Sequence, residues 1–545
     1  MDNKKLAALL FPNVDKTPEY YEELYPPRNL PEGAKVTRLG PSPTGFIHLG
    51  NLFGAITDER LAHQSGGVFF LRIEDTDNKR EVEGAVDVVI DTLKYFGVEF
   101  DEGANKTGET GVYGPYWQRQ RAEIYHCFAK KLVEEGLAYP CFCTEEDLTE
   151  MRTRQEAEKA NFGYYGQWAT HRHWDMEQIE SELAKGTPYV LRFRAPEPEG
   201  KYFKIKDAIR GELSMPVNDM DFVLLKSDGI PTYHFAHVVD DHLMRTTHVV
   251  RGEEWLATLP FHVALFAAMG WKAPVYCHTA QLMKIDNGVK RKLSKRKDPE
   301  LSLDYYKSEG YLPGAVWEYL MTVLNSNFED WRIANPDAPI DEFKFSPNKM
   351  SVSGSLFDID KLNDVSKNYL ATLDSETVYK YVTEWAKECD EEYYQLLTRD
   401  KDFSIGMIAI GRGDKKPRKD ISHWKQSKEF YSFFFDELFK IEDSFPENVS
   451  EEDRKTILAK YVETYDHSDD QTQWFDKVRA IAEELGYAPQ PKLYKKNPEL
   501  YKGHVGDVSA VIRVAVTGRQ NSPDLWSVQQ VLGEERSMER VKRHI

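Results

Sequence analysis

The chain has 545 residues, 41% of them hydrophobic, with 11 Trp and 29 Tyr, so several globular domains are expected and a largely disordered chain is excluded. Its net charge of −19 has the wrong sign for a protein that coats nucleic acid throughout, so any RNA contact must come from local basic patches. Five cysteines suggest no disulfide framework, no apolar run approaches a membrane span, and the first run, Leu6 to Phe11, stops at Pro12, too short for a secretory segment; a soluble, cytoplasmic protein is expected.

Residues 1–34 precede the first strand and are rich in Tyr, Pro and Glu. Tyr20, Tyr21 and Tyr25 either dock this segment onto the body or leave it as an appendage. Residues 36–54 are the most informative stretch. A β-branched run ends at Leu39, a stiff Pro-Ser-Pro-Thr-Gly turn covers 41–45, and a helix opens around His48. Strand, tight turn and helix N-terminus form an anion site, because the first-turn amides and the helix dipole attract phosphate. His48 is placed to donate to a phosphate oxygen, and Gly50 lets a flat base or ribose lie against the backbone. A helix over 49–64 buries Leu52, Phe53, Ile56 and Leu61 and ends before Gly66-Gly67; a strand over 68–73 follows. This is half of a doubly wound nucleotide fold. An insert over 115–230 interrupts it, with helices over 119–135 and 145–159 and alternating strands such as 189–194. The nucleotide fold resumes at about 231 and runs to 276.

A second motif is Lys292-Leu-Ser-Lys-Arg296, within the basic run Lys290–Lys297. Such a loop can bring two ammonium groups onto a triphosphate as charge develops in a transition state. Lys284–Lys297 holds seven Lys/Arg against Asp286, and Arg412–Lys428 holds seven against Asp414 and Asp420. For the second patch, a solvated loop and an RNA contact stay equally open. Beyond about 375 the pattern is helix after helix, and 508–545 reads as amphipathic helices. No internal repeat or low-complexity tract is present.

The two motifs, in this order and widely separated, resemble those of a class I aminoacyl-tRNA synthetase: His48-Leu-Gly-Asn51 stands at the HIGH motif, with Asn51 for its final His, and Lys292–Arg296 at the KMSKS motif. Arg-Leu-Gly-Pro-Ser-Pro-Thr-Gly at 38–45, Leu-Arg-Ile-Glu-Asp-Thr-Asp at 71–77, Pro-Thr-Tyr-His-Phe-Ala at 231–236, Val-Val-Asp-Asp-His at 238–242 and Val-Val-Arg-Gly-Glu-Glu-Trp at 249–255 are similar to bacterial-type glutamyl-tRNA synthetases. The resemblance covers residue 35 to the C-terminus and is strongest up to about 320. Members of the family usually start near the equivalent of Lys35, which implies that residues 1–34 are an N-terminal extension. It implies a multidomain protein: a Rossmann-type α/β catalytic domain over 35–114 and 231–276, an inserted α/β connective domain over 115–230 gripping the tRNA acceptor end, a linking domain over 277–375 carrying the KMSKS loop, and an all-α anticodon-binding domain over 376–545.

It also implies the chemistry. The substrates are L-glutamate, ATP and tRNA(Glu), with Mg²⁺ accompanying the phosphates, and the enzyme is a cytoplasmic monomer. Arg38 and Arg251 match positions that pair with glutamate carboxylates, which suits the planar guanidinium fork. Ser42 and Glu74 match holders of the α-carboxylate and α-amino group, and Tyr233 a phenol at the side chain. His237 departs from a small polar residue; its imidazole can donate to a carboxylate, with a charge that titrates near neutral pH. His48, Gly50, Asn51, Glu254, Lys292, Ser294 and Lys295 match the ATP site, with His48, Lys292 and Lys295 catalytic. Arg418 is the candidate reader of the anticodon. Some members bind zinc with a Cys-x-Cys pair and a Tyr-x-Gly-x-Cys segment. Here Cys141-Phe-Cys143 is followed by Tyr164-Tyr-Gly-Gln-Trp168, so the third Cys is missing. The pair reads as two buried apolar thiols, no zinc is expected, and His171 or His173 would have to complete a site. A glutaminyl enzyme is disfavoured because Pro41-Ser-Pro-Thr-Gly45 departs from its Pro-Glu-Pro-Asn-Gly pattern. A shortened tRNA-modifying paralogue would lack the last third of the chain. A catalytically dead RNA-binding paralogue does not fit the intact His48, Lys295, Arg38 and Arg251.

Overall fold

The computed structural model describes residues 2–43, 47–77, 82–197 and 200–545, so the Thr44-Gly45 end of the expected turn lies outside the described residues. The chain forms two units, Met1–Tyr305 with Trp317–Asp358, and Tyr306–Val316 with Ile359–Ile545.

In the first unit, strands β1 (Val36–Leu39), β2 (Val68–Leu71) and β3 (Glu102–Asn105) pair in parallel, Val36 opposite Val68 and Phe70 opposite Glu102. Against the other side of β1 lies β4 (His248–Gly252): the Thr247 amide donates to the Val36 carbonyl at 2.9 Å, and the Val36 amide donates to Thr247 Oγ1 at 2.8 Å. β4 pairs in parallel with β5 (Val275–Thr279). The order is β3-β2-β1-β4-β5, reversing between β1 and β4, which is the crevice where doubly wound sheets bind ligands. Covered on both faces, the strands are apolar runs: Phe69, Phe70, Leu71, Val249, Tyr276 and Cys277 are buried.

Helix α1 (Leu49–His63) follows β1 and is buried nearly all round, including Thr57, Asp58, Glu59 and Arg60. β2 is shorter than the expected 68–73, because Arg72 turns its guanidinium onto Asp241 and Glu74 and Ile73 bridges to Trp117 instead. Helix α2 (Tyr233–Leu243) precedes β4. Within 115–230, a 3₁₀ turn, Gln118–Arg121, leads into the helix Ala122–Glu134. The strands Ala138–Cys141, Val190–Phe193 and Val223–Leu225 form an antiparallel sheet. The hairpin Tyr202–Asp207/Gly211–Pro216 joins the edge of β5, with Asp207 opposite Tyr276.

The N-terminal extension is docked. Its helix Asn3–Leu10 buries Leu6, Ala7 and Leu10 in the core shared with Phe128, Leu132 and Val133. Tyr21 and Tyr25 are buried, whereas Tyr20 is exposed. Arg28 donates to both oxygens of Glu102 at 2.8 and 3.0 Å and to the Met244 carbonyl at 3.1 Å, and Glu22 pairs with His242 at 2.6 Å and Arg245 at 2.8 Å.

The second unit is helical, with no strand among its described residues. Val505–Thr517 is its most buried helix; Val508, Val511, Ile512 and Ala515 meet Ile457, Leu458, Val478 and Val541. Arg418 lies in the loop after helix Lys401–Ala409 and donates Nε and Nη2 to Asp420 at 2.7 and 2.8 Å. Among the described residues, no helix is long and apolar enough to cross a membrane.

Candidate active site

A cavity of about 1050 Å³ opens at the C-terminal ends of β1 and β4, lined by Arg38, Ser42, Gly50, Asn51, Glu74, Tyr233 and Arg251 among others. Its volume takes an amino acid and a nucleotide together.

One end is the N-terminus of α1. His48 caps it: its Nδ1 accepts from the Asn51 amide at 3.3 Å, and the Asn51 side-chain oxygen accepts from the His48 amide at 3.0 Å. In this reciprocal capping box the Asn51 side-chain oxygen is one of the two acceptors. With Nδ1 accepting, the ring proton sits on Nε2. A Cβ at Gly50 would press on the His48 ring at 3.0 Å, so this glycine makes room for the imidazole as well as for a ligand. Burial, then Lys292, push the His48 pKa down, with Lys295 acting the same way and Glu254 opposing. The first motif thus sits within electrostatic reach of Lys292, Lys295 and Glu254.

The second motif is a shaped loop. The hairpin Leu282–Asp286/Val289–Lys292 leads into buried Leu293. Asp298 then holds the turn: it accepts from Arg291 at 2.7 and 2.8 Å and from the Ser294 amide at 2.8 Å. Nothing in the sequence singled out Arg291 or Asp298 for this task.

At the other end, Arg38 donates through Nε to Asp241 at 3.2 Å, and Arg72 donates to Asp241 at 2.6 Å and to Glu74 at 3.0 Å. Burial alone would raise the Asp241 pKa; Arg38, Arg72 and His237 outweigh it and hold the carboxyl far below the usual range. Arg251 donates Nε to His278 Nε2 at 3.0 Å and Nη1 to His262 Nδ1 at 3.2 Å, while its Nη2 is buried without a partner. Asp241, Arg72, His262 and His278 were missed in the sequence. Only Asp241 left a signal there, four residues after His237 on one helical face.

His237 requires a correction. It is fully buried, is not among the cavity-lining residues, and has its nitrogens on Asp241 Oδ2 at 2.6 Å and Tyr276 Oη at 3.0 Å. Burial lowers its pKa to about 3, so it is neutral at pH 7 rather than titrating there. It supports the site from beneath and does not touch the cavity.

The cysteine pair differs from expectation in part. Cys141 is buried in an apolar cluster with Tyr139, Tyr164 and Ala169, as expected, but Cys143 is half-buried and polar groups reach both sulfurs: Cys143 Sγ lies 3.4 Å from His171 Nδ1 and 3.6 Å from Tyr164 Oη, and Cys141 Sγ lies 3.4 Å from Tyr164 Oη. The two sulfurs and the nitrogen all fall within 4.8 Å of one another. Zinc bonds of about 2.3 Å to sulfur and 2.0–2.1 Å to nitrogen at tetrahedral angles put S and N about 3.5 Å apart, so this donor set fits zinc. His171 supplies the donor the sequence lacked at Trp168, while His173 is exposed.

A family model described as tRNA synthetases class I (E and Q), catalytic domain, matches residues 35–364, and an anticodon binding domain model matches 500–545. The chain is 62% identical to the glutamate–tRNA ligase of Acetivibrio thermocellus, covering 100% of both chains, and 49% identical to that of Clostridium perfringens strain SM101, again over 100% of both. Among solved structures it is similar to a glutamate tRNA ligase from Elizabethkingia meningosepticum in complex with its amino acid. There the TM-score is 0.76 at 27% identity, covering 94% of this chain and 99% of that one.

Proposed function

Because the chain belongs to the class I tRNA synthetases for glutamate and glutamine, and within them to the glutamate–tRNA ligases, we propose that the β1/β4 cavity holds glutamate beside ATP with the roles set out below. The enzyme charges tRNA with glutamate. The observation that carries the role assignment is Arg251: a buried guanidinium in the cavity wall with one donor, Nη2, unpartnered by the protein. A buried donor of this kind calls for an anionic acceptor, and the glutamate side-chain carboxylate supplies it.

Arg38, Ser42, Glu74 and Tyr233 complete the amino-acid end. His48, Gly50, Asn51, Glu254, Lys292, Ser294 and Lys295 serve the nucleotide. The glutamate α-carboxylate oxygen attacks the α-phosphorus of ATP; the new C–O–P linkage forms as the bond to pyrophosphate breaks. The nucleophile is already an anion, so no general base is required. Catalysis is alignment plus stabilisation of charge on the phosphates by His48 Nε2–H and by the Lys292 and Lys295 ammonium groups. The terminal-adenosine 2′-hydroxyl of tRNA(Glu) then attacks the glutamyl carbonyl; the ester C–O bond forms as the acyl bond to the phosphate breaks, and AMP leaves with the displaced electron pair on its phosphate oxygen, which takes up the hydroxyl proton. Mg²⁺ is proposed to arrive on the phosphates, since the cavity offers it no cluster of donors among the described residues. Cys141, Cys143 and His171, with Tyr164 beside them, would hold a zinc ion, which supplies structural cross-linking. We further assign residues 115–230 to the acceptor end, 277–375 to the linker and 376–545, with Arg418, to the anticodon arm. The enzyme is read as a cytoplasmic monomer.

Pyrophosphate exchange tests the reading: label from pyrophosphate should enter ATP when glutamate and tRNA are present, and should not with glutamine. Exchange with glutamine at a comparable rate would overturn it.

A further inference from the structure

Arg251 is anchored differently from its neighbours. Arg38 and Arg72 share the Asp241 carboxylate, and Arg72 also meets Glu74, so their charges are compensated inside the protein. Among the described residues, Arg251 makes no ion pair. Two of its donors go to imidazole nitrogens, and its guanidinium lies over the Tyr276 ring at 4.7 Å from the centroid.

The imidazoles can accept only in one tautomer each. A guanidinium only donates, so His278 Nε2 must present a lone pair and carry its proton on Nδ1. Asp207 fixes that choice: its Oδ2 lies 2.7 Å from His278 Nδ1, and its Oδ1 accepts from the Ile209 and Arg210 amides at 2.9 Å. His262 Nδ1 accepts in the same way, so its proton sits on Nε2 and is donated to His234 Nδ1 at 3.0 Å. Burial lowers the pKa of both His262 and His278, which agrees with neutral rings.

We propose that His262 and His278 are positioning residues that hold Arg251 through neutral acceptors, leaving its full charge to the substrate, and that this neutral cradle sets the preference for a side-chain carboxylate over its amide. The inference rests on the assignment of Arg251 to that carboxylate. A carboxylate in either histidine's place would hold Arg251 equally well and cancel its charge. The amide of glutamine would then lose little and the anion of glutamate much.

The test is a charge-only comparison at His262, where an Asn or Asp side-chain oxygen falls near the Nδ1 position. The ratio of kcat/KM for glutamate to that for glutamine is measured by aminoacylation for the wild type, His262→Asn, His262→Asp and Arg251→Gln. His262→Asn should stay close to the wild-type ratio. His262→Asp should lower it at least about tenfold, the loss of one hydrogen bond to a charged group, through a higher KM for glutamate with KM for ATP unchanged. Equal behaviour of His262→Asn and His262→Asp overturns the proposal, because a merely structural histidine would not distinguish them. If Arg251→Gln collapses the ratio while His262→Asp does not, the cradle fails and the site assignment stands. If Arg251→Gln leaves the ratio unchanged, the assignment itself fails. Should His262→Asp not fold, the pair His262→Gln and His262→Glu makes the same comparison.

Discussion

Asp298 is the structural key of the second motif, and its conversion to Asn isolates that role. The side chain is 1% exposed and accepts from Arg291 Nη1, Arg291 Nη2 and the Ser294 amide at 2.7, 2.8 and 2.8 Å. The variant keeps the shape but turns one oxygen into an NH₂ that faces a donor. At least one charge-assisted hydrogen bond is lost, about 1.5–3 kcal/mol, and the lower half of that range applies because Arg291 is 26% exposed. A loss of about 2 kcal/mol in the ordered form of the loop lowers its occupancy by up to about 30-fold, so Asp298→Asn should reduce exchange turnover by about tenfold or more. The KM for glutamate should not move, because Arg38, Glu74 and Arg251 make no contact with Asp298. Arg291 holds the Asp298 carboxyl at about 2, so its charge is intact above the ordinary carboxylate range and lost only as pH falls through about 2. Between pH 5 and 8 the ratio of variant to wild type should therefore be flat. An unchanged turnover, or a parallel rise in KM for glutamate, would refute this account of the loop.

Lys295→Ala should lower adenylation on the order of 10²-fold while sparing glutamate binding, since its ammonium meets charge that appears only in the transition state; a rise in KM for ATP at constant turnover would make the loop a binding element instead. Elemental analysis of chelator-treated protein should find about one zinc per chain, reduced by His171→Ala but not by His173→Ala; metal-free protein of unchanged stability would leave Cys141 and Cys143 as plain thiols. His63 donates Nδ1 to Glu59 at 2.7 Å and Nε2 to Asp101 at 3.0 Å, and these carboxylates, Glu59 first, raise its pKa to about 9. A raised pKa means stabilisation that is complete below the ordinary value of about 6.5 and disappears as pH rises through 9. With a side chain 31% exposed the effect is discounted to about 1–2 kcal/mol, so Tm should fall between pH 6.5 and 9 in the wild type and stay flatter in His63→Gln.

The sequence carried the local signals: a β-branched run before a stiff turn, apolar spacing along 49–64, and two motifs, of which Lys292 and Lys295 of the second come within electrostatic reach of His48 of the first. Helix and strand ends fall within three residues of those expected: the helix expected from 119 starts at Ala122 after a 3₁₀ turn, and β2 stops at Leu71 because Arg72 turns away. Function-bearing groups brought in from distant strands were illegible. His278, on β5, has no reason in its own neighbourhood to accept from Arg251, and Asp207, from a hairpin within the insert, has none to orient it. His237 looked like a ligand because its position in sequence suited one; only burial and the bonds to Asp241 and Tyr276 remove it from the cavity. The nitrogen beside Cys143 was likewise not legible at Trp168, because it comes from a different turn, at His171.

The docked extension has a consequence for how the molecule is made. Arg28 grips Glu102 on the outermost parallel strand and the Met244 carbonyl just before β4, and Glu22 grips His242 and Arg245. On a ribosome, Arg28 therefore waits for one of its partners until more than two hundred later residues have been added. The contacts of Glu22 and Arg28 with the segment 242–245 can form only after the insert has been made. Docking of the extension closes a contact of very long sequence separation, joining the halves of a sheet that the insert keeps apart during synthesis.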